Sequence, residues 1–310
     1  MIDFILLSLP VFGVVALGWL AMHLELTTAE ALGALSLFSF RFALPALVFR
    51  LISSQPLGNS FNPLFYGGYL LSGGLVFSAV LGIGHFVGRQ PLATASARAS
   101  TATVSNLGFL GPPLMIAFFG ERGAGPLAMA ILAEVMVLLS VGGVIMGMSS
   151  GRGVGLVRLL LRGTILNPVV AAIALGAVVA ALHIAVPSSL AHLLAFLGGA
   201  AGPTALFSLG GTLALQRIDR ATVFAAGGIS AAKLLLYPLL VWYVLGELLH
   251  VGLFWVQSGA LIATFPSAGS NYLMAQRYAA DAESVSAAIV LSTILSVGVV
   301  PLAAWLVLQN

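Results

Sequence analysis

The chain has 310 residues, of which 60% are apolar and 7% charged, with twelve Lys and Arg against nine Asp and Glu and a net charge of +3. A soluble domain carries roughly 25% charged residues, because a globule needs a polar shell to stay dissolved. This composition, with a mean hydropathy of +1.11, excludes a soluble protein and specifies a polytopic membrane one. Cysteine is absent, which excludes disulfide frameworks, Cys-based zinc sites and iron–sulfur clusters.

A helix that crosses the hydrocarbon needs about 20 apolar residues. Ten candidate spans follow in chain order, at 4–23, 29–51, 62–87, 93–119, 125–148, 159–182, 187–214, 221–249, 252–278 and 283–308. The first lacks a basic leader region and carries Asp3, so it is expected to be a retained span and not a cleaved signal. The short connections leave no room for a soluble domain. Cytoplasmic loops retain Lys and Arg. The odd-numbered loops hold Arg89, Arg98, Arg152, Arg158, Arg162, Arg217, Arg220 and Arg277, against Arg50 and Arg122 on the other side. That asymmetry places the odd loops in the cytoplasm and both termini outside, in the cell (inner) membrane.

Five spans per half would make the halves inverted repeats, residues 1–149 and 159–310, joined by a cytoplasmic linker at 150–158. Pro10-Val11 and Ala16-Leu17-Gly18 match Pro168-Val169 and Ala174-Leu175-Gly176, all 158 residues apart, as do Pro45 with Phe49 and Pro203 with Phe207. Inverted five-helix repeats are an architecture of secondary transporters, whose sites lie where Gly/Pro-interrupted spans meet in corresponding positions.

The fourth span is broken by Asn106, Gly108, Gly111, Pro112 and Pro113, and the ninth by Pro266, Ser267, Gly269, Ser270 and Asn271. Under the 158-residue offset the two windows coincide. Pro costs about 3 kcal/mol in a helix interior, and broken backbone at membrane depth is tolerated only against protein or a water-filled cavity. Half-helices restarting near Pro113 and Ser267 would aim N–H groups and positive dipole ends into that cavity. With the side chains of Asn106, Thr264, Ser270 and Asn271, such a pocket suits an anion, above all a carboxylate.

The same stretches carry a family resemblance. FALPALVFR at 42–50, SNLGFLGPPL at 105–114, NPVVAAIALG at 167–176, KLLLYPLL at 233–240 and FPSAGSNYLMAQRY at 265–278 resemble the auxin efflux carrier family, which includes bacterial malate and malonate carriers and the plant PIN carriers. The resemblance implies an all-α integral membrane fold of ten spans in two inverted repeats, shared with the bile-acid sodium symporters. It also implies crossed fourth and ninth spans that form the substrate site, and transport of small organic anions. Carried over by position, Asn106 and Pro112-Pro113 match the first crossover, and Pro266 and Asn271 the second. Spans three, four, five, eight, nine and ten would form the moving core. Spans one, two, six and seven would form a scaffold that in this fold often makes a homodimer. The long central loop of many plant members is absent, which favours a compact prokaryotic carrier.

An ionisable residue at membrane depth costs at least roughly 2.5–3.5 kcal/mol on insertion scales and usually faces a cavity or a partner. Lys233 in span eight could stand in for a bound cation, attract an anionic substrate or exchange a proton; its structural alternative is a tie to the carbonyls of an unwound helix. Glu134 in span five could carry a proton or serve as a silent partner of Lys233 or Arg41, and its repeat position is Ser292. Arg41 reads as structural. The coupling ion is therefore Na+ or H+, and no metal site or organic cofactor is expected.

No Asp falls within a span core, so an intramembrane hydrolase lacks its acid–base groups. GRGVG at 151–155 lacks the Lys-Ser/Thr of a phosphate-binding loop, which excludes an ATP-driven pump on this chain. The alternatives are a sodium-coupled, bile-acid-symporter-like carrier of another organic solute and a channel of the same fold.

Overall fold

A computed structural model describes residues 1–149, 167–216 and 222–309. The linker at 150–158, the start of the sixth span, and Arg152, Arg158, Arg162, Arg217 and Arg220 of the charge count lie outside the described residues. The helices are α1 (Ile2–His23), α2 (Ala29–Phe38), α3 (Leu44–Ser53), α4 (Pro63–Gly82), α5 (Leu92–Thr103), α6 (Gly111–Phe119), α7 (Ala124–Ile131) and α8 (Leu139–Ser149). They continue with α9 (Pro168–Ala181), α10 (Ser188–Gly199), α11 (Ala201–Ala214), α12 (Val223–Ala231), α13 (Tyr237–Trp242), α14 (Leu253–Ala263), α15 (Ser270–Arg277) and α16 (Ala282–Leu308). A single helical turn, Leu57–Ser60, precedes α4.

Seven stretches among the described residues are long and apolar enough to cross a membrane, with α9 and α14 as shorter apolar helices. The difference from ten expected spans has local causes. The first half of span four, LATASARASTAT, is too polar and too short to count alone. Its second half runs on with span five as Gly111–Ser149. Those 39 residues would measure about 58 Å as one rod, nearly twice the hydrocarbon thickness. The rod is interrupted at Gly120, whose φ is +63°, and Gly123 then lies so close to Met115 that a Cβ would meet its carbonyl oxygen at 2.9 Å.

Helix starts follow from capping residues. The Asn167 side chain accepts from the Val169 and Val170 amides at 3.0 and 3.4 Å ahead of Pro168, Thr28 accepts from Ala31 at 3.2 Å, and Asp281 from Ser284 at 3.2 Å. Wide π-type turns interrupt helices at Ser39–Ala43, Leu132–Leu138 and Ala232–Leu236 and end them at Ile83–Val87 and Tyr243–Leu248. Such turns often mark functional sites, and Leu132–Leu138 and Ala232–Leu236 carry Glu134 and Lys233. Left-handed backbone recurs at the offset seen in the sequence. Glu25 and His183, Arg89 and His250, and Gly120 and Ala279 all have positive φ, at separations of 158, 161 and 159 residues.

The described residues group into two compact units. The first takes residues 1–62, 107–129 and 167–216, and the second 63–106, 130–149 and 222–309. Spans four and five are expected whole within the core; the grouping cuts the chain after Asn106 and after Met129.

In the first unit, α1 crosses α11 at glycine-only distance. A Cβ on Gly18 would lie 2.0 Å from the Phe207 carbonyl oxygen, and one on Gly210 would lie 1.8 Å from that of Val15. Small residues permit this approach, and packing of this kind holds helices together in lipid. Arg41 is exposed, whereas Arg50 pairs with Glu121 at 3.4 Å.

In the second unit, Arg98 of α5 donates through Nε at 2.8 Å, and through Nη2, to Asp281 Oδ2 at the start of α16. Burial would raise the Asp281 pKa, but the hydrogen bonds from Arg98 and Ser284 outweigh it and hold the carboxyl below the usual carboxylate range. A depressed folded value stabilises the protein above the ordinary carboxylate range, and that contribution is lost as pH falls through the folded value. Asp281→Asn is expected to lower stability by about 1 kcal/mol at neutral pH, the scale of a partly exposed pair. It should also flatten the loss of melting temperature below about pH 4, read by thermal unfolding in detergent at several pH values.

Candidate functional site

Both broken helices meet inside the second unit. Helix α5 ends at Thr103 and α14 at Ala263, and the extended segments that follow pair antiparallel at Ser105 and Ser267. The Asn106 amide donates to the Pro266 carbonyl at 2.8 Å and the Ala268 amide to the Val104 carbonyl at 3.0 Å. These two bonds flank Ser105 and Ser267, so the two serines form a pair whose own N–H groups point away from the opposite segment. Buried N–H groups without acceptors cost several kcal/mol in hydrocarbon, and each is met by a side chain from a neighbouring helix. Glu134 Oε2 accepts from the Ser105 amide at 2.6 Å, and Ser292 Oγ accepts from the Ser267 amide at 3.1 Å. Glu134 and Ser292 stand 158 residues apart, the offset that relates the two halves of the sequence.

Around this crossing the polar groups are almost wholly enclosed. Asn106 is 6% exposed and Asn271 2%, while Ser267, Glu134 and Lys233 are 0%. Ser267 Oγ donates to the Thr101 carbonyl at 2.7 Å, and Asn271 Nδ2 to the Val104 carbonyl at 3.4 Å. Asn271 Oδ1 has no partner among the described residues. Helix α15 begins at Ser270, three residues later than the restart at Ser267 expected from sequence, because Pro266 to Ala268 are drawn into the pairing. Ser270 itself is half-buried.

Glu134 gathers further donors at Oε1: Tyr69 OH at 2.6 Å, Ser105 Oγ at 2.9 Å and Tyr237 OH at 3.3 Å. Lys233 Nζ donates to the Ala263 carbonyl at 2.7 Å, at the end of α14 where a helix leaves carbonyls unpaired. It also lies 4.7 Å from the centre of the Tyr237 ring. The two buried side chains thus both touch one tyrosine, Glu134 at its hydroxyl and Lys233 over its ring, and each is fixed to backbone beside a different break.

The structure brings Asn106, Pro266, Ser267, Asn271, Glu134 and Lys233 into one unit. Gly111, Pro112 and Pro113 start α6 in the first unit, where Gly111 packs on Leu127 so closely that a Cβ would meet it at 2.7 Å. Pro112 is buried and Pro113 half-buried. Sequence reasoning passed over Ser105, Tyr69 and Tyr237. Tyr237 had a signal, since it follows Lys233 by four residues and so shares its helix face; nothing local marks Tyr69.

Comparison with known proteins gives a consistent picture. The family model described as "Membrane transport protein" matches residues 4–305. A Rhizobium meliloti (strain 1021) protein named "Putative malonate transporter" is 32% identical over 297 residues, covering 95% of this chain and 92% of that one. An "Uncharacterized transporter" of Methanothermobacter thermautotrophicus is 30% identical over 202 residues, covering 65% of this chain and 64% of its own.

Proposed function

Because the chain belongs to the membrane transport protein family, the auxin efflux carrier family of multi-pass transporters, we propose that it is a secondary active carrier of small organic anions, with malonate-class carboxylates first. The observation that carries this reading is the crossing at Ser105 and Ser267, where two interrupted helices place polar backbone and two buried asparagines deep inside an apolar chain. Asn106, Ser267, Ser270 and Asn271 line the substrate site, with Pro266 holding the second break open. Gly111, Pro112 and Pro113 start the half-helix that follows the first break. The unpartnered Asn271 Oδ1 is an acceptor and supports a coupling cation or a donor group on the substrate there, while the charge of Lys233 favours an anion. Lys233 and Glu134 provide charge compensation and ion coupling, with Na+ or H+ as the coupling ion.

Transport proceeds by alternating access. Two inverted five-helix repeats, 1–149 and 159–310, make up the carrier, and the recurrence of left-handed residues at 158 to 161 positions supports that duplication. The protein resides in the inner membrane with both termini non-cytoplasmic, and scaffold helices join two copies.

Uptake of labelled malonate, malate and an aromatic carboxylate into proteoliposomes tests the reading. Saturable uptake with counterflow is expected for one of them, and a conductance without counterflow would instead indicate a channel. Asn106→Ala and Asn271→Ala are each expected to lower kcat/KM about tenfold or more, the value of a lost buried hydrogen bond. Unchanged uptake in both would remove the asparagines from the site.

A further inference from the structure

We propose that Glu134, ringed by the hydroxyls of Tyr69, Ser105 and Tyr237, is the seat of a transported proton, so that the carrier moves its organic anion together with H+. The proposal rests on the carrier reading above and names its coupling ion.

Two kinds of donor surround the carboxylate. Oε2 is held by the Ser105 amide, a donor that cannot reverse. Oε1 is surrounded by three hydroxyls, and a hydroxyl both donates and accepts. With Glu134 ionised, all three donate to it. When a proton arrives on Oε1, one hydroxyl turns to accept it, and Oε2, now a carbonyl oxygen, keeps the Ser105 amide. Both charge states are therefore hydrogen-bonded with no change in the backbone. Asp281 shows the opposite design within the same unit. Its Oδ2 takes two bonds from the Arg98 guanidinium and its Oδ1 one from the Ser284 amide, donors that cannot reverse, so that site favours the ionised form.

Lys233 supplies the link to an anion. It touches the ring of Tyr237, whose hydroxyl touches Glu134. While Glu134 is ionised the two charges offset each other. Once Glu134 is protonated, Lys233 leaves one uncompensated positive charge beside the crossing, which favours a carboxylate. Linkage is reciprocal, so a bound anion equally favours protonation. The titratable and charged groups facing Glu134 are Tyr69 from α4, Tyr237 from α13 and Lys233 from the turn Ala232–Leu236; its own turn, Leu132–Leu138, carries no other. In the second half, Ser292 performs the same backbone duty for Ser267 and cannot change charge, so of these two matched acceptors Glu134 is the one that can hold a proton. The proton passes from water on one side to Oε1 and from Oε1 to water on the other, and no other bond is made or broken.

The test uses the full chain in proteoliposomes with labelled malonate and a pH-sensitive dye inside. In the wild type, with the membrane potential clamped at zero, an inward gradient of one pH unit is expected to drive about tenfold accumulation, with internal acidification that requires malonate. Glu134→Gln holds the neutral state permanently. It is expected to lose both acidification and gradient-driven accumulation, while malonate-for-malonate exchange stays measurable. Gradient-driven accumulation persisting in Glu134→Gln would overturn the proposal. So would saturable wild-type uptake that moves no protons or follows only a sodium gradient, a result independent of whether the variant folds. Absence of wild-type uptake for malonate, malate and an aromatic carboxylate alike would overturn the carrier reading itself.

Discussion

Lys233→Met is expected to abolish transport and to cost about 3 kcal/mol of stability, the upper end for a buried group left without its partner. Lys233 is fully buried and its ammonium is the donor to the Ala263 carbonyl at the end of α14. Methionine matches the length of the stem but donates nothing. It strands that carbonyl next to the second break and removes the positive charge that offsets Glu134 across Tyr237. Unpaired buried charge is the more expensive of the two losses. The double variant Lys233→Met/Glu134→Gln therefore should be more stable than Lys233→Met alone, since it carries no buried charge at this site. Thermal unfolding in detergent measures the stability terms and proteoliposome uptake the function. Near-normal uptake by Lys233→Met, with an unchanged melting temperature, would make Lys233 dispensable for both coupling and structure.

Gly210→Ala is expected to lower stability by about 3 kcal/mol, at or beyond the upper end of the usual overpacking range. In an isolated helix the same change would gain up to about 1 kcal/mol, because alanine is the better helix former. The contact decides the sign. The added Cβ would sit 1.8 Å from the Val15 carbonyl oxygen and 2.9 Å from the Trp19 amide nitrogen. Both are backbone atoms, which cannot turn aside as a flexible side chain can. Helix α1 must therefore move away from α11 by more than an ångström and give up the contacts along the crossing. Gly13 provides the control, since a Cβ there meets nothing within 4 Å, and Gly13→Ala should be neutral or stabilising. Equal effects at the two positions, read by unfolding in detergent, would rule out the close crossing of α1 and α11.

Part of the site was legible from local chemistry. Asn106, Pro266, Ser267 and Asn271 stood out because Pro, Gly and amides in an apolar run cannot continue a helix at no cost. Lys233 and Glu134 stood out because buried charge in a span needs a reason. Their partners were not legible. Ser105 meets Glu134 across 29 residues and Tyr69 meets it across 65, and no spacing rule reaches that far. Helix boundaries also shifted, with α15 starting at Ser270, because pairing across 166 residues (Ser267 Oγ to the Thr101 carbonyl) takes up residues that local propensity leaves free.

From composition and order alone, the sequence determined that the chain lives in a membrane, which two apolar stretches must break, and which buried charges require an explanation. These are local properties, set by transfer free energies and by the backbone limits of proline and glycine. Tertiary structure alone decided that the two breaks pair at Ser105 and Ser267, that Glu134 takes one outward-facing amide of the pair and Ser292 the other, and that Lys233 ties Ala263. Those outcomes depend on unpaired backbone groups finding hydrogen-bond partners in a medium without water. The partners come from whichever distant helices pack alongside.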